Sequence, residues 1–309
     1  MIRMSCTRRR FIQTLAGAGA SMLLPAYGYE FPIPAITRTI PKSGEVIPAL
    51  GMGTWLTFAV GGEPDKIAVR TQVLQTFFDR GGRLIDSSPM YGTSETVIGE
   101  CLKQTRWKQP PLSATKVWTT GWQQGMRQMT RSKHLWGVKQ FDLMQIHNLL
   151  DWEVHLETLK AWKAEGKIRY IGVTTSHGRR HQELIHIMQT VDALDFVQFT
   201  YNIEDREAEQ YLLPIARERK LAVIINRPFQ GGELFAKIRN KPLPPWANEI
   251  DCGAWSQFFL KFIISHPAVT CAIPATSRVD HMMENMGAMN LRLPDTSMRN
   301  KMIQYVKIL

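Results

Sequence analysis

The chain has 309 residues, 44% of them hydrophobic and 21% charged, with a formal net charge of +11 at pH 7. That length and apolar fraction suffice for one sizeable core, and they exclude a disordered or low-complexity chain. Arg3, Arg8, Arg9 and Arg10 supply four of the positive charges and leave about +7, scattered in pairs such as Arg179-Arg180 and Lys237/Arg239. Without interleaved aromatics or a recognised motif, such pairs argue against a nucleic-acid groove.

Residues 7–13 read Thr-Arg-Arg-Arg-Phe-Ile-Gln and precede a modest apolar run at 14–24 and small residues near Ala26 and Gly28. This resembles a twin-arginine export signal, which implies a leader over 1–28 and a mature domain over 29–309. The apolar stretch at 11–24 is shorter than the roughly 20 residues that cross a bilayer, which disfavours an anchor. The resemblance implies the twin-arginine translocation machinery as a partner and a periplasmic or otherwise exported location; a leader that does not function would leave the protein cytoplasmic.

Thr39 to Ile47 has polar turn residues between two apolar arms and is expected to form a β-hairpin. From Leu50 onward, short apolar runs alternate with amphipathic stretches at the interval of β/α units. Eight candidate strands fall at 50–53, 83–86, 112–116, 143–147, 168–173, 196–199, 222–225 and 269–273. Helical spacing marks 66–80, 153–164, 181–190, 207–219 and 253–265. Eight strands with helical crossovers predict an α/β fold, a closed (β/α)₈ TIM barrel, with the N-terminal hairpin closing its bottom. The longest break, 226–251, holds several prolines and a Gly-Gly pair, and a loop of that length is usually functional. Cys6 lies in the leader; Cys101, Cys252 and Cys271 are far apart with no Cys-x-x-Cys pair, so free buried thiols are expected, an oxidising compartment permitting one disulfide.

In such barrels the chemistry sits at the carboxyl ends of strands. Asp86 closes the second apolar run, Tyr91 follows in Asp-Ser-Ser-Pro-Met-Tyr-Gly, Lys116 closes the third and His147 the fourth. A carbonyl that accepts a hydride becomes an alkoxide and must be protonated, for which a Tyr near its ordinary value of about 10 is a weak acid at neutral pH. A neighbouring ammonium would lower that value: Lys116 can do so, Asp86 can hold Lys116 charged, and His147 can donate to the substrate oxygen.

Together Asp86, Tyr91, Lys116 and His147 resemble the tetrad of the aldo-keto reductase superfamily in type, order and strand placement. The likeness runs from near Ile40 to about Asn285 and includes Gly-Met-Gly-Thr-Trp ending at Trp55, Leu-Ile-Asp-Ser-Ser ending at Ser88, Tyr91-Gly with Ser94-Glu95, Lys-Ile-Arg-Tyr-Ile-Gly-Val ending at Val173, and Ile-Pro-Ala-Thr-Ser ending at Ser277. The resemblance implies NADP(H) as the favoured cofactor, with NAD(H) possible. It places Gly53 and Thr54 at the cofactor, Thr174 and Thr175 with Gln198 at the nicotinamide carboxamide, and Tyr201 stacked on the nicotinamide ring. It also places Asn226, Arg227, Pro228, Phe229 and Gly231 around the pyrophosphate, Thr276, Ser277 and Arg278 at the adenosine 2′-phosphate, and Glu284 and Asn285 at the adenine. Ala275 stands where the family often has Lys and His281 where it often has Arg, and Arg278 could compensate with a bidentate grip.

Trp55, Met90, Trp118 and Leu149 sit beside strand ends and would line an apolar substrate mouth. His177 and His181 have a helical metal spacing, but no acidic residue completes a zinc motif and no metal is expected. The reading is an oxidoreductase moving a hydride between NADP(H) and a small-molecule aldehyde or ketone, or the corresponding alcohol, with Tyr91 as general acid/base and a monomer expected. Its rivals are a nucleotide-binding redox sensor on the same barrel with little turnover, and a metal-dependent hydrolase, which the paucity of His and carboxylate ligands at strand ends disfavours.

Overall fold

The computed structural model describes residues 35–309, so the leader assigned to 1–28 lies outside the described residues. The hairpin forms as β1 (Thr37–Thr39) and β2 (Val46–Pro48), antiparallel, with Arg38 opposite Ile47. Gly44 closes its turn at φ +75°, a left-handed conformation that costs glycine little.

Eight parallel strands follow in sequence order round one sheet. They are β3 (Met52–Gly53), β4 (Leu84–Asp86), β5 (Leu112–Val117), β6 (Phe141–Ile146), β7 (Ile168–Thr174), β8 (Phe196–Thr200), β9 (Ala222–Asn226) and β10 (Cys271–Ala272). The first and last strands close the barrel through parallel bridges, Leu50 to Ala272 and Gly53 to Ala275. At that seam the Gly51 N–H donates to the Ala272 carbonyl at 2.9 Å and an added Cβ on Gly53 would stand 2.8 Å from the Ile273 carbonyl oxygen, while on the other side one on Gly51 would stand 2.8 Å from the Leu84 carbonyl oxygen of β4. Only glycine lets the strands approach so closely.

Period-2 alternation divides the side chains between two cores. Inside the barrel lie Leu84, Leu112, Leu143, Phe196, Ile224 and Cys271, and Ile40 and Ile47 of the hairpin plug their lower end. The intervening residues, such as Ile85, Val117, Met144, Ile146 and Phe199, face outward onto the helices. Those helices are α1 (Pro64–Asp79), α2 (Ser94–Gln104), α3 (Trp122–Trp136), α4 (Trp152–Ala164), α5 (His181–Thr190), α6 (Leu212–Glu218), α7 (Glu233–Lys237), α8 (Trp255–Ile264), α9 (Val279–Gly287) and α10 (Thr296–Lys307).

Three expectations are corrected here. The helix expected at 207–219 begins only at Leu212, after a 3₁₀ turn at Glu207–Glu209. Pro214 then falls in the first turn of α6, where backbone N–H groups have no intrahelical partner to lose. The long break at 226–251 contains α7 and a 3₁₀ turn at Pro245–Ile250. The positive charge is not scattered: residues 101–141 hold eight Lys and Arg and no Asp or Glu, so the rest of 29–309 is slightly negative. Of those eight, Lys103, Arg106, Lys108, Arg127, Arg131 and Lys139 are exposed, and α3 forms with α4 a shallow groove lined by Arg127, Arg131, His134 and Lys167.

Candidate active site

Inward-facing polar residues replace apolar ones at the carboxyl ends of the strands. Asp86 ends β4, and the same parity along β5, β6 and β8 brings Lys116, Gln145 and Gln198 into the barrel beside it, all fully or almost fully buried. Lys116 Nζ donates to Asp86 Oδ2 at 2.6 Å and to the Ser87 carbonyl at 2.7 Å. Asp86 Oδ1 accepts from Gln145 Nε2 at 2.9 Å and from Gln198 Nε2 at 3.0 Å. Both carboxylate oxygens and the ammonium are therefore partnered, as buried charges require.

Tyr91 stands above this pair, its ring centroid 5.2 Å from the Lys116 ammonium. The imidazole of His147 meets the Tyr91 ring edge-on at 5.7 Å. Burial works against the Lys116 charge, but Asp86 and Tyr91 outweigh it and hold the ammonium above the ordinary lysine value. Tyr91 is shifted opposite to the sequence expectation. Desolvation raises its pKa, Lys116 opposes without cancelling it, and Asp86 adds to the rise, so the phenol keeps its proton at neutral pH. Burial, with the Lys116 charge behind it, pushes His147 down to about 3, and the imidazole is neutral.

Asp86, Tyr91 and His147 line a cavity of ≈ 350 Å³ at the carboxyl end of the barrel. Of the residues assigned to the cofactor, Gly53, Thr54, Thr174, Thr175, Gln198, Asn226, Arg227, Pro228, Phe229 and Gly231 line it too, as do Trp55 and Met90 from the substrate set. Thr54 ties the ends of β3 and β4 together, its hydroxyl donating to the Asp86 carbonyl at 3.0 Å. Asn226 bridges β9 to its neighbours, donating to the Thr175 carbonyl at 2.8 Å and accepting from the Thr200 hydroxyl at 2.8 Å. Trp118 stands at the rim, its ring 6.5 Å from that of His147.

Two assigned residues lie in the outer core. Tyr201 is fully buried outside the barrel, with its ring against Phe262 and His266 and its hydroxyl donating to Glu209 at 2.6 Å. Parity explains this, since Gln198 and Thr200 face inward and Phe199 and Tyr201 outward. Leu149 is buried in the outer core rather than at the mouth. Thr276, Ser277, Arg278, Glu284 and Asn285 lie beyond the cavity wall, and Arg278 is held by Asp280 in a bidentate pair at 3.0 and 2.5 Å. Sequence reasoning assigned no role to Leu56, Asn148, Ser176 or Phe235, which also line the cavity. It likewise passed over Gln145, whose signal was one amide inside the run Leu-Met-Gln-Ile.

Among the described residues no group of three or more His, Cys, Asp or Glu could hold a metal ion. His177 and His181 bond instead to Ser176 Oγ at 2.9 Å and to Glu207 Oε1 at 3.1 Å. Among the described residues no disulfide forms, and Cys101, Cys252 and Cys271 are buried thiols.

A buried ammonium–carboxylate pair beneath a protonated phenol and a neutral imidazole, at the carboxyl mouth of a (β/α)₈ barrel, is an arrangement suited to acid–base chemistry. A model of the aldo/keto reductase family matches residues 49–302, and the chain belongs to that family. It is 28% identical over 218 residues to aldo-keto reductase YhdN of Bacillus subtilis, a match covering 65% of this chain and just under two thirds, 64%, of that protein. It is 27% identical over 233 residues to the NADH-specific methylglyoxal reductase of Escherichia coli, covering 63% of this chain and 68% of the relative. An aldo-keto reductase from Klebsiella pneumoniae, solved in complex with NADPH, shares the fold at a TM-score of 0.75 and 21% identity, over 89% of this chain and 96% of that one.

Proposed function

We propose that the chain is an NADP(H)-linked carbonyl reductase that converts a small-molecule aldehyde or ketone to its alcohol, and the reverse, with Tyr91 as general acid/base. The observation that carries this reading is the Lys116–Asp86 pair buried beneath Tyr91, with His147 facing the same cavity.

The cavity wall suits a nicotinamide nucleotide. Thr175 Oγ1 is buried there with no hydrogen-bond partner among the described residues. The Arg227 guanidinium lies over Gly231, 3.3 Å from where a Cβ would stand, and no carboxylate among the described residues pairs with it. Thr175 and Gln198 would hold the carboxamide, and Arg227 with the loop through Gly232 the pyrophosphate. When bound, the nicotinamide supplies or takes up the hydride. The protein's part is acid–base and electrostatic. Tyr91 hands its proton to the developing alkoxide, Lys116 stabilises the phenolate left behind, Asp86 keeps Lys116 charged and in place, and His147 hydrogen-bonds the substrate oxygen. Trp55, Leu56, Met90 and Phe235 give the mouth an apolar rim, which favours a substrate with an apolar or aromatic substituent.

The test is NADPH consumption by the full chain against a panel of aldehydes and ketones, with Tyr91→Phe in parallel. Turnover that falls about 10³-fold in the variant supports the reading; bound nucleotide with no turnover in the wild type would replace it with a sensing role. Selection of NADP(H) over NAD(H) would rest on Arg278, which Asp280 engages, so Asp280→Asn should lower the KM for NADPH several-fold and leave that for NADH unchanged. Export by the twin-arginine route, with the folded barrel carrying its nucleotide, rests on Arg8-Arg9 and the following Phe11-Ile12. Arg8→Lys combined with Arg9→Lys should retain the protein in the cytoplasm on cell fractionation.

A further inference from the structure

We infer that Ser88 is a positioning residue that fixes the tautomer of His147, placing the single imidazole proton on Nε2, where it faces the cavity as a donor. The inference rests on the reading of the site as a carbonyl-reducing one, but its first test needs neither substrate nor cofactor.

Ser88 is fully buried, and its Oγ lies 2.8 Å from His147 Nδ1. The same oxygen accepts the Met90 N–H at 3.2 Å. A hydroxyl has one hydrogen and two lone pairs, so with one lone pair taken by Met90 two arrangements remain. If Nδ1 carried the proton it would occupy the second lone pair, and the Ser88 hydrogen would be stranded with no acceptor among the described residues. If Ser88 donates to Nδ1, the Ser88 hydrogen, the Met90 N–H and Nδ1 are all partnered, and the Nε2–H is left to the cavity. A stranded buried donor disfavours its arrangement by roughly tenfold or more in population.

The consequence for chemistry is direct. A neutral imidazole has a single N–H, and His147 is held neutral by burial and the charge of Lys116. Its Nδ1 is occupied by Ser88, whereas Nε2 has no partner among the described residues and the ring lines the cavity. With the proton on Nε2, His147 donates to an oxygen that gains negative charge; with the proton on Nδ1, it would turn a lone pair toward that oxygen and repel it. Ser88 therefore decides the sign of the interaction without touching the substrate. Met90 fixes Ser88 in turn, because the turn from Asp86 to Tyr91 aims the Met90 N–H at it.

The experiment is ¹⁵N NMR of the full chain with labelled histidine, the His147 signals being assigned by their loss in His147→Gln. The two ring nitrogens of a neutral imidazole have distinct shifts and show which one is protonated. The expected result is a protonated Nε2 in the wild type, loss of that single tautomer in Ser88→Ala, and its return in Ser88→Thr, which keeps the hydroxyl. In turnover, Ser88→Ala should lower kcat about tenfold with little change in KM, and Ser88→Thr should recover most of it. A wild-type spectrum with the proton on Nδ1, or a Ser88→Ala spectrum with an unchanged tautomer population, would overturn the inference. A wild type that shows the Nε2 proton but reduces no carbonyl would instead remove the reductase reading and leave the tautomer assignment standing.

Discussion

Tyr91 sits between opposed influences: enclosure in the barrel mouth keeps its proton on, and the ammonium beneath it favours its release. In the folded protein enclosure prevails, so the site at rest is poised as an acid. Lys116 matters once charge begins to move onto the phenol oxygen. The pH profile of carbonyl reduction follows. His147 titrates only near 3 and Tyr91 above its ordinary value, so the rate should be flat through neutral pH and fall on the alkaline side as Tyr91 loses its proton. A limb centred near pH 6.5 in kcat/KM would contradict this assignment. At this scale the sequence was informative where a polar residue interrupts an apolar run at a strand end, as Asp86, Lys116 and His147 do. It was silent where the partner is another buried polar group, as with Gln145 or Ser88, because pairing across the barrel depends on strand register. Tyr201 departs from what the resemblance implies for a simpler reason: the parity of its strand turns it outward onto Phe262 and His266.

The elements are short, and their positions depend on contacts that only small residues permit. Where α2 crosses α3, a Cβ on Gly99 would stand 2.0 Å from the Leu135 carbonyl oxygen, and a backbone oxygen cannot swing aside. Beside that contact Glu95 of α2 accepts from Thr115 of β5 at 2.6 Å and from Ser132 of α3 at 2.8 Å, binding three elements through one buried carboxyl group. Gly99→Ala should force the two helices apart and lower stability by about 2 to 4 kcal/mol, read as a lower urea midpoint with the slope unchanged. The existence and order of all eight barrel strands were legible, since each is a short apolar run between turns. The start of α6 was not, because Glu207 to Glu209 have helical composition and only the position of Pro214 shows where a helix could begin.

For the molecule as a whole, acid is the expected weakness. Burial pushes His147 down to about 3 and His266 to about 4, whereas both titrate near 6.5 when unfolded. Below that value the unfolded chain binds protons that the folded chain refuses. Stability from both groups is thus complete above pH 6.5 and lost as the pH falls toward 4 and 3. Tm should decline over that range in calorimetry, and His266→Gln should make the decline shallower. The crowding of cations along 101–141, with the remainder slightly negative, has a further result. The barrel possesses a permanent electric dipole, and in any uniform field it experiences a torque as well as a pull. On a cation-exchange column it should therefore adsorb in one orientation, with α3 against the resin. Arg127→Glu with Arg131→Glu should release it at distinctly lower salt, while Arg239→Glu with Lys241→Glu, an equal change in net charge placed elsewhere, should move the elution far less.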